Sequence, residues 1–397
     1  MNYLKLLFFF ILTFLAITSC TKTDSAVAST APGTSDLPAG FASSGSSSSN
    51  PGGGDSSLHP GVITAGEWND IDNWNFWLGL MDSAQWNAKQ DYWKFFPKNI
   101  YSVQLTGING SKITDAQITI KDAGGNALWT AKTDNAGKSV LFPSLFSNAG
   151  GGAYTASAVI NGSTIDLGTF PSSHRIEKQL DLNASISKNI DIMYVVDATG
   201  SMGDELSYLK NELNNVLTRA KNDLTGMNLC TGVVVYRDQG DDYLTKVSPF
   251  TTDVNALINF VKAQDAGGGG DFPEAVHAAL QAALEQQNWS TTATSRLLFL
   301  VLDAPPHHED AVIQSIQASI KKAAEKGIKI IPVTASGIDK DTEFMMRFMS
   351  ISTNGTYVFI TNDSGIGNTH LIPTVGKYQV EYLNDLMLRL IKKYALN

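Results

Sequence analysis

The spacing of apolar positions changes several times along the chain. Leu6 to Ile17 is unbroken apolar sequence behind Lys5, and Thr21 to about Pro60 is nearly all Ser, Gly, Ala, Thr and Pro. Over 61–98 tryptophans recur, and Trp74, Trp77 and Met81 fall at i, i+3, i+7 with Leu78 on the same face, which predicts a short amphipathic helix. Over 99–185 short alternating runs predict strands at Tyr101–Leu105, Ala116–Ile120, Ala127–Ala131, Ser139–Phe142, Tyr154–Val159 and Ile176–Leu182. Asn109-Gly110, Gly124-Gly125, Asn135-Ala136-Gly137 and Asn161-Gly162 separate them as turns, so this region reads as an antiparallel β-sandwich. From Asn189 the runs become continuous: Ile190–Val196, Thr231–Tyr236, Leu297–Leu302, Ile328–Val333 and Tyr357–Ile360, as strands buried on both faces should be. Helical patterns alternate with them at Asp204–Asp223, Val254–Gln264, Pro273–Gln287, Asp310–Lys326 and Asp341–Met349, and Tyr378–Tyr394 closes the chain. The expected architecture is a doubly wound, mostly parallel α/β sheet, with Thr245–Phe250 as an antiparallel edge strand.

The expected organisation is a signal peptide over 1–19, a linker over 20–60, a tryptophan-rich helical segment over 61–98, a β-sandwich over 99–185 and the α/β domain over 187–397. Twelve apolar residues are too few to span a bilayer core, which takes about 20, and fit the h-region of a signal peptide. Ile17-Thr18-Ser19-Cys20 resembles a bacterial lipobox. That resemblance implies a lipid on the Cys20 sulfur, cleavage before Cys20, and an envelope location at the outer membrane or cell surface. The Ser/Gly linker that follows cannot offset chain entropy by apolar burial and would act as a tether with a typical reach of roughly 35 Å. The tryptophans over 61–98 have two readings, a stacking platform for a ligand or a segment docked on the next domain, and docking is the plainer one.

Composition removes whole classes of function. Lys plus Arg number 29 against 38 Asp plus Glu, a net charge of −9, which argues against a nucleic-acid binder. Two cysteines exclude a disulfide scaffold and a multi-cysteine zinc site. With Cys20 lipidated, Cys230 remains as a core thiol.

In doubly wound sheets ligands bind beyond the carboxyl ends of the strands. The first strand ends in Asp197-Ala198-Thr199-Gly200-Ser201, which sets a carboxylate and two hydroxyls at alternate positions. Gly267-Gly268-Gly269-Gly270-Asp271-Phe272-Pro273-Glu274 is a glycine loop entering a helix, and Asp303 ends the strand expected beside the first. Oxygen donors of this kind suit Mg²⁺, Ca²⁺ or Mn²⁺. Glu205 and Glu274 read as early-helix carboxylates, Arg237 and Asp238 as a pair that positions a loop, and His307 and His308 as loop residues.

Together these stretches resemble the von Willebrand factor type A (VWA) domain and its metal-ion-dependent adhesion site. Tyr236-Arg237-Asp238, Gly269 to Glu274 and Asp303-Ala304-Pro305-Pro306-His307 are similar to a branch found in bacterial proteins and alpha-kinase-associated proteins. The sandwich resembles carboxypeptidase-regulatory or prealbumin-like modules. The VWA resemblance implies Asp197, Thr199 and Ser201 as first-loop ligands of a divalent cation, Mg²⁺ first among them, with Asp303 bound directly or through water. Asp271 stands at or near the place where the family usually has a Thr, and is the expected second-loop ligand of the same cation. The implied function is non-enzymatic adhesion, with a partner protein's Asp or Glu carboxylate completing the coordination. The competing reading is a scaffold subunit of an envelope assembly that regulates an enzyme or transporter. Cys20→Ser is expected to release the chain from the membrane fraction. Fractionation combined with mass analysis of the mature N-terminus checks this, and continued retention with no lipid mass on the wild type would refute it.

Overall fold

The computed structural model of the protein describes residues 59–148, 151–184 and 187–396. The expected signal peptide, Cys20 and all but the last two residues of the expected linker lie outside them. No helix among the described residues is long and apolar enough to cross a membrane.

The tryptophan-rich segment forms β1 (Thr64–Trp68), α1 (Trp74–Met81) and α2 (Ala84–Trp93). The Ser83 hydroxyl starts α2 by accepting from the Trp86 N–H at 3.4 Å. Seven strands follow: β2 (Tyr101–Gly107), β3 (Gln117–Lys121), β4 (Ala127–Lys132), β5 (Lys138–Leu141), β6 (Thr155–Ile160), β7 (Ser163–Thr169) and β8 (Arg175–Leu180). They form two sheets, β5-β2-β8 and β4-β3-β6-β7. Strict alternation in β2, with Tyr101, Val103, Leu105 and Gly107 inward, is what a two-sheet core requires. The sandwich is not wholly antiparallel: the chain crosses between sheets after β7, so β8 lies parallel to β2. β7, largely exposed and polar, had no alternating apolar signal in the sequence.

The α/β unit runs β9 (Asn189–Asp197), α3 (Gly203–Asp223), β10 (Asn228–Tyr236), β11 (Thr245–Thr251), α4 (Val254–Lys262), α5 (Val276–Glu285), β12 (Ser295–Leu302), α6 (Asp310–Lys326), β13 (Ile328–Thr334), α7 (Lys340–Ser352), β14 (Tyr357–Ile360), β15 (Val380–Tyr382) and α8 (Leu383–Ala395). The sheet order is β11-β10-β9-β12-β13-β14-β1-β15. The five expected buried strands are its parallel core, and β11 is the antiparallel edge on one side. The fold is the expected mixed α/β class. Cys230 is buried on β10.

One strand comes from outside 187–397. β1 pairs antiparallel with β14 and with β15. Its five residues include Gly66, where a Cβ would meet the Phe359 ring at 2.6 Å. A glycine there lets β1 lie against β14, and it also breaks the apolar pattern that would have advertised a strand. The rest of the segment docks on α7. Trp77, Trp86 and Trp93 are buried, Trp77 stacks on Phe344 with centroids 6.0 Å apart, and Phe95 stacks on Phe348 at 4.0 Å.

At the centre of this dock Arg347 is fully buried. Its Nη2 and Nε donate to Asp70 Oδ1 and Oδ2 at 2.6 and 2.9 Å, and its Nη1 donates to the Thr374 carbonyl at 2.6 Å. Its guanidinium lies 5.1 Å from the Trp77 and Trp86 ring centroids. This bidentate pair, closed in by aromatic faces, ties the segment before β2 to a helix far along the chain.

The sandwich packs against α6 and the amino ends of the sheet strands. Trp129, Phe142 and Leu145 share one core with Ile316, Ile320 and Ala323. Arg296, at the start of β12, donates to both Asp115 oxygens at 2.8 and 3.2 Å, and Lys329, at the start of β13, reaches Asp134 at 3.1 Å. The carboxyl ends of the strands therefore point away from the sandwich.

Asp70→Ala leaves the Arg347 guanidinium buried without its bidentate partner. The expected loss is about 3 kcal/mol of unfolding free energy, at the lower end of what breaking a buried pair costs because Glu343 remains nearby. Urea unfolding measures it, and a loss under about 1 kcal/mol, the scale of an exposed pair, would show the clamp to be dispensable.

Candidate metal centre

Residues 197–203 leave β9 and enter α3 through one 3₁₀ turn, Gly200–Met202. Asp197 is fully buried at the strand end. Thr199 closes the turn by donating to Asp197 Oδ1 twice, from N–H at 2.8 Å and from Oγ1 at 2.7 Å. Thr199 Oγ1 and Ser201 Oγ are 3.3 Å apart. This uses up Oδ1 and leaves Asp197 Oδ2 buried without a protein partner. β12 lies beside β9 in parallel register, Val301 against Val196, so Asp303 emerges next to Asp197 at the point where the strand order reverses. Asp303 is 4% exposed, and its Oδ1 also has no partner.

The glycine loop lies across this turn. Gly267 N–H donates to the Ala198 carbonyl at 3.0 Å, and Gly200 N–H donates to the Gly268 carbonyl at 3.2 Å. Gly268 and Gly269 have φ of +78° and +73°, and Asp241 holds them by accepting from the Gly269 N–H at 2.9 Å. A Cβ on Gly269 would sit 3.1 Å from Glu274 Oε1 and 3.5 Å from Thr199 Cβ. The space between those two side chains therefore admits only glycine without adjustment.

That geometry makes Glu274 a member of the centre. It is 2% exposed, its backbone N–H donates to the Pro305 carbonyl at 2.9 Å, and its Oε2 has no partner. The sequence expectation of an ordinary early-helix carboxylate is corrected here: α5 begins only at Val276, so Glu274 lies in the loop, turned inward. The chemical signal was present in the sequence, a carboxylate ending a glycine-rich loop, but its direction depends on where the helix starts. Glu205 is likewise buried, and its Oε1 accepts from the Ser336 N–H at 3.2 Å and from the Ser336 hydroxyl, which ties α3 to the loop after β13.

The structure brings Asp197, Thr199, Ser201 and Asp303 together as expected positions of one centre. It groups Asp271 with Asp238 and His307, with one ligand atom of each within 4.8 Å of the others. Asp271 is exposed, whereas Asp238 is buried and accepts from His307 Nε2 at 2.7 Å. Arg237 does not pair with Asp238. Its Nη2 donates to the Asp265 carbonyl at 2.8 Å, and it lies 4.7 Å from the Tyr243 ring centroid. His308 stacks on Tyr92 of α2 with centroids 3.5 Å apart, and one of its ring nitrogens lies 2.8 Å from the Tyr92 carbonyl. The tryptophan-rich segment therefore braces the loop that follows Asp303.

Electrostatics separates this centre from ordinary surface carboxylates. Burial, then the charge of Asp303, pushes Asp197 up to about 7. Burial, with Glu205 adding and the Ser201 hydroxyl opposing, pushes Asp303 up to about 6. Burial, then Asp197, Asp238, Asp303 and Asp241, pushes Glu274 up to about 9. Three buried carboxylates with orphaned oxygens and two nearby hydroxyls are an all-oxygen donor set, and they fit a hard divalent cation.

Residues 191–369, within the α/β unit, match the family described as von Willebrand factor A domain. Two curated relatives match part of the chain. An ariadne-like RING finger protein of Acanthamoeba polyphaga mimivirus is 34% identical over 120 residues, 30% of this chain and 11% of that protein. The alpha-protein kinase vwkA of Dictyostelium discoideum is 23% identical over 174 residues, 43% of this chain and 27% of that protein. The chain thus spans about a tenth and about a quarter of these relatives. Among solved structures, an aerotolerance-related membrane protein from Bacteroides fragilis aligns at TM-score 0.34 and 15% identity, covering 52% of this chain and 98% of that one. BatB from Bacteroides thetaiotaomicron aligns at 0.36 and 15%, with the same coverage. The pilus adhesin SpaC from Lactobacillus rhamnosus GG aligns at 0.39 and 14%, covering 61% of this chain and 33% of that one.

The raised carboxylates set a pH dependence. Unfolded Asp and Glu titrate near about 4, while the folded groups titrate near 6, 7 and 9. Between these limits the native state holds more protons than the unfolded chain, so metal-free stability falls as pH rises through that window. The melting temperature in chelator should therefore drop from pH 5 to pH 9. Millimolar Mg²⁺, Mn²⁺ or Ca²⁺ should raise it more at pH 8 than at pH 5, because at pH 5 the ion must displace protons. A hundredfold excess over Kd corresponds to about 2.7 kcal/mol. Differential scanning calorimetry checks both trends, and Asp197→Asn should flatten them. A cation effect as large in Asp197→Asn as in the wild type would remove the centre.

Proposed function

We propose that this chain is a non-enzymatic, metal-dependent protein-binding lipoprotein of the cell envelope. In this reading Cys20 carries the lipid, and the Ser/Gly linker lifts the folded part off the membrane. Asp197, Thr199, Ser201 and Asp303 hold a divalent cation, Mg²⁺ in preference, with Glu274 in the place given at first to Asp271. The observation that carries the reading is the set of three orphaned carboxylate oxygens at the switch point of a VWA sheet. These side chains bind and orient the ion. When bound, the ion supplies a Lewis-acid position for an acidic group of a partner protein, and so inverts the local sign of an otherwise negative surface. The position of the sandwich, against the amino ends of the strands, supports the reading because it leaves the opposite end open to a partner.

A carboxylate-rich partner should bind the full chain in Mg²⁺ and dissociate in chelator. Crosslinking on intact cells followed by mass spectrometry identifies it. Surface plasmon resonance should then show Asp197→Ala and Glu274→Gln losing at least about tenfold in affinity, the scale of one lost charge-assisted contact. Capture that is equal with and without chelator, or unaffected by Asp197→Ala, would contradict this function.

A further inference from the structure

Asp238 and His307 stand outside the centre just described, and the proposed function leaves them without a role. They come from the loops that follow β10 and β12, and Asp271 comes from the glycine loop that lies between these in sequence. We propose that Asp238, Asp271 and His307 form a second cation site beside the Asp197 centre, one suited to a borderline transition ion such as Zn²⁺.

Three observations carry it. The first is geometric: one ligand atom from each residue lies within 4.8 Å of the other two, and His307 Nε2 is already 2.7 Å from Asp238 Oδ1. Donors about 2.0–2.1 Å from one zinc ion lie about 3–4 Å from each other, so small rotamer changes would complete the set. The second is chemical. An imidazole with two carboxylates selects Zn²⁺ and its neighbours, while the all-oxygen Asp197 centre selects harder ions, so the two sites would take different metals. The third is Glu274. It is 2% exposed and its Oε2 has no protein partner. It follows Asp271 by three residues in the same loop, and its N–H donates to the Pro305 carbonyl at 2.9 Å, two residues before His307, so this unpartnered carboxylate adjoins both groups.

The surrounding residues are arranged for such a role. Asp241 accepts from the N–H groups of Asp238 and Gly269 at 3.1 and 2.9 Å, which occupies it in holding the β10 loop against the glycine loop. An ion on Asp271 would tie the exposed part of the glycine loop to the ends of two strands, and with it the loop that carries Glu274 into the first centre.

The test is metal stoichiometry on the full chain, stripped with chelator and titrated separately with Zn²⁺ and Mg²⁺. Isothermal titration should show a Zn²⁺ event that survives Asp197→Ala, and a Mg²⁺ event that survives Asp271→Asn. Asp271 is exposed, so Asp271→Asn keeps the fold, and it should weaken the Zn²⁺ event by at least about tenfold, the smallest loss usual even for an outer-shell partner. His307→Gln should do the same. Co²⁺ should give visible absorption bands of a nitrogen-containing low-coordinate site that His307→Gln removes. Unchanged Zn²⁺ affinity in both variants would overturn the second site and leave an ordinary His–Asp hydrogen bond. Loss of the Zn²⁺ event in Asp197→Ala would overturn its independence. Loss of the Mg²⁺ event alone would count against the proposed function and leave this site standing.

Discussion

Asp197 and Asp303 leave adjacent parallel strands side by side, and Glu274 is turned in beside them from the glycine loop. All three are shielded from water, and none can spread its charge into solvent. Much of the neighbouring chain can be read as accommodation of this crowding. Thr199 spends two donors on one oxygen of Asp197. Gly269 stays without a side chain so that the loop can lie between Glu274 and Thr199. The electropositive N-terminus of α3 faces the same place. These contacts soften the repulsion but leave an oxygen of each carboxylate unpartnered. Protons fill that deficit at low pH, and at neutral pH an all-oxygen set of this kind suits a divalent ion.

The rest of the molecule holds this centre at a free end. The sandwich is fastened at the amino ends of β12 and β13 through Asp115–Arg296 and Asp134–Lys329, away from the Asp197 end. The tryptophan-rich segment works from the side. Its strand β1 extends the sheet beyond β14, its Asp70 holds Arg347 on α7, and its Tyr92 stacks on His308 two residues beyond Pro306. The segment, expected to dock on the next domain, therefore reaches from the sheet edge to the rim of the centre.

The glycine loop also joins two groups of ionisable residues. Glu274 faces the Asp197 centre, and Asp271, three residues earlier, faces Asp238 and His307. A change in charge on either side acts on the same short stretch of backbone, held by Asp241 and by hydrogen bonds to residues 198 and 200.

The parallel strands were legible in the sequence because β9, β10, β12, β13 and β14 are buried on both faces, and continuous apolar runs have no other comfortable place in a folded chain. The aspartate that ends β9, the hydroxyls at 199 and 201 and the aspartate that ends β12 were legible for the same reason: strand ends mark where the polar edge begins. What escaped was decided by contacts between distant residues. β1 is short and interrupted by a glycine needed against Phe359, so its membership of the sheet exists only once β14 is in place. β8 became parallel to β2 through a crossover between sheets, which local alternation does not encode. Asp271 and Glu274 sit three residues apart in the same loop, and their spacing alone cannot say which turns inward. The turn of the loop onto residues 198 and 200 buried Glu274 and left Asp271 outside with Asp238 and His307, because backbone direction at glycines is set by what the loop packs against and not by its own side chains.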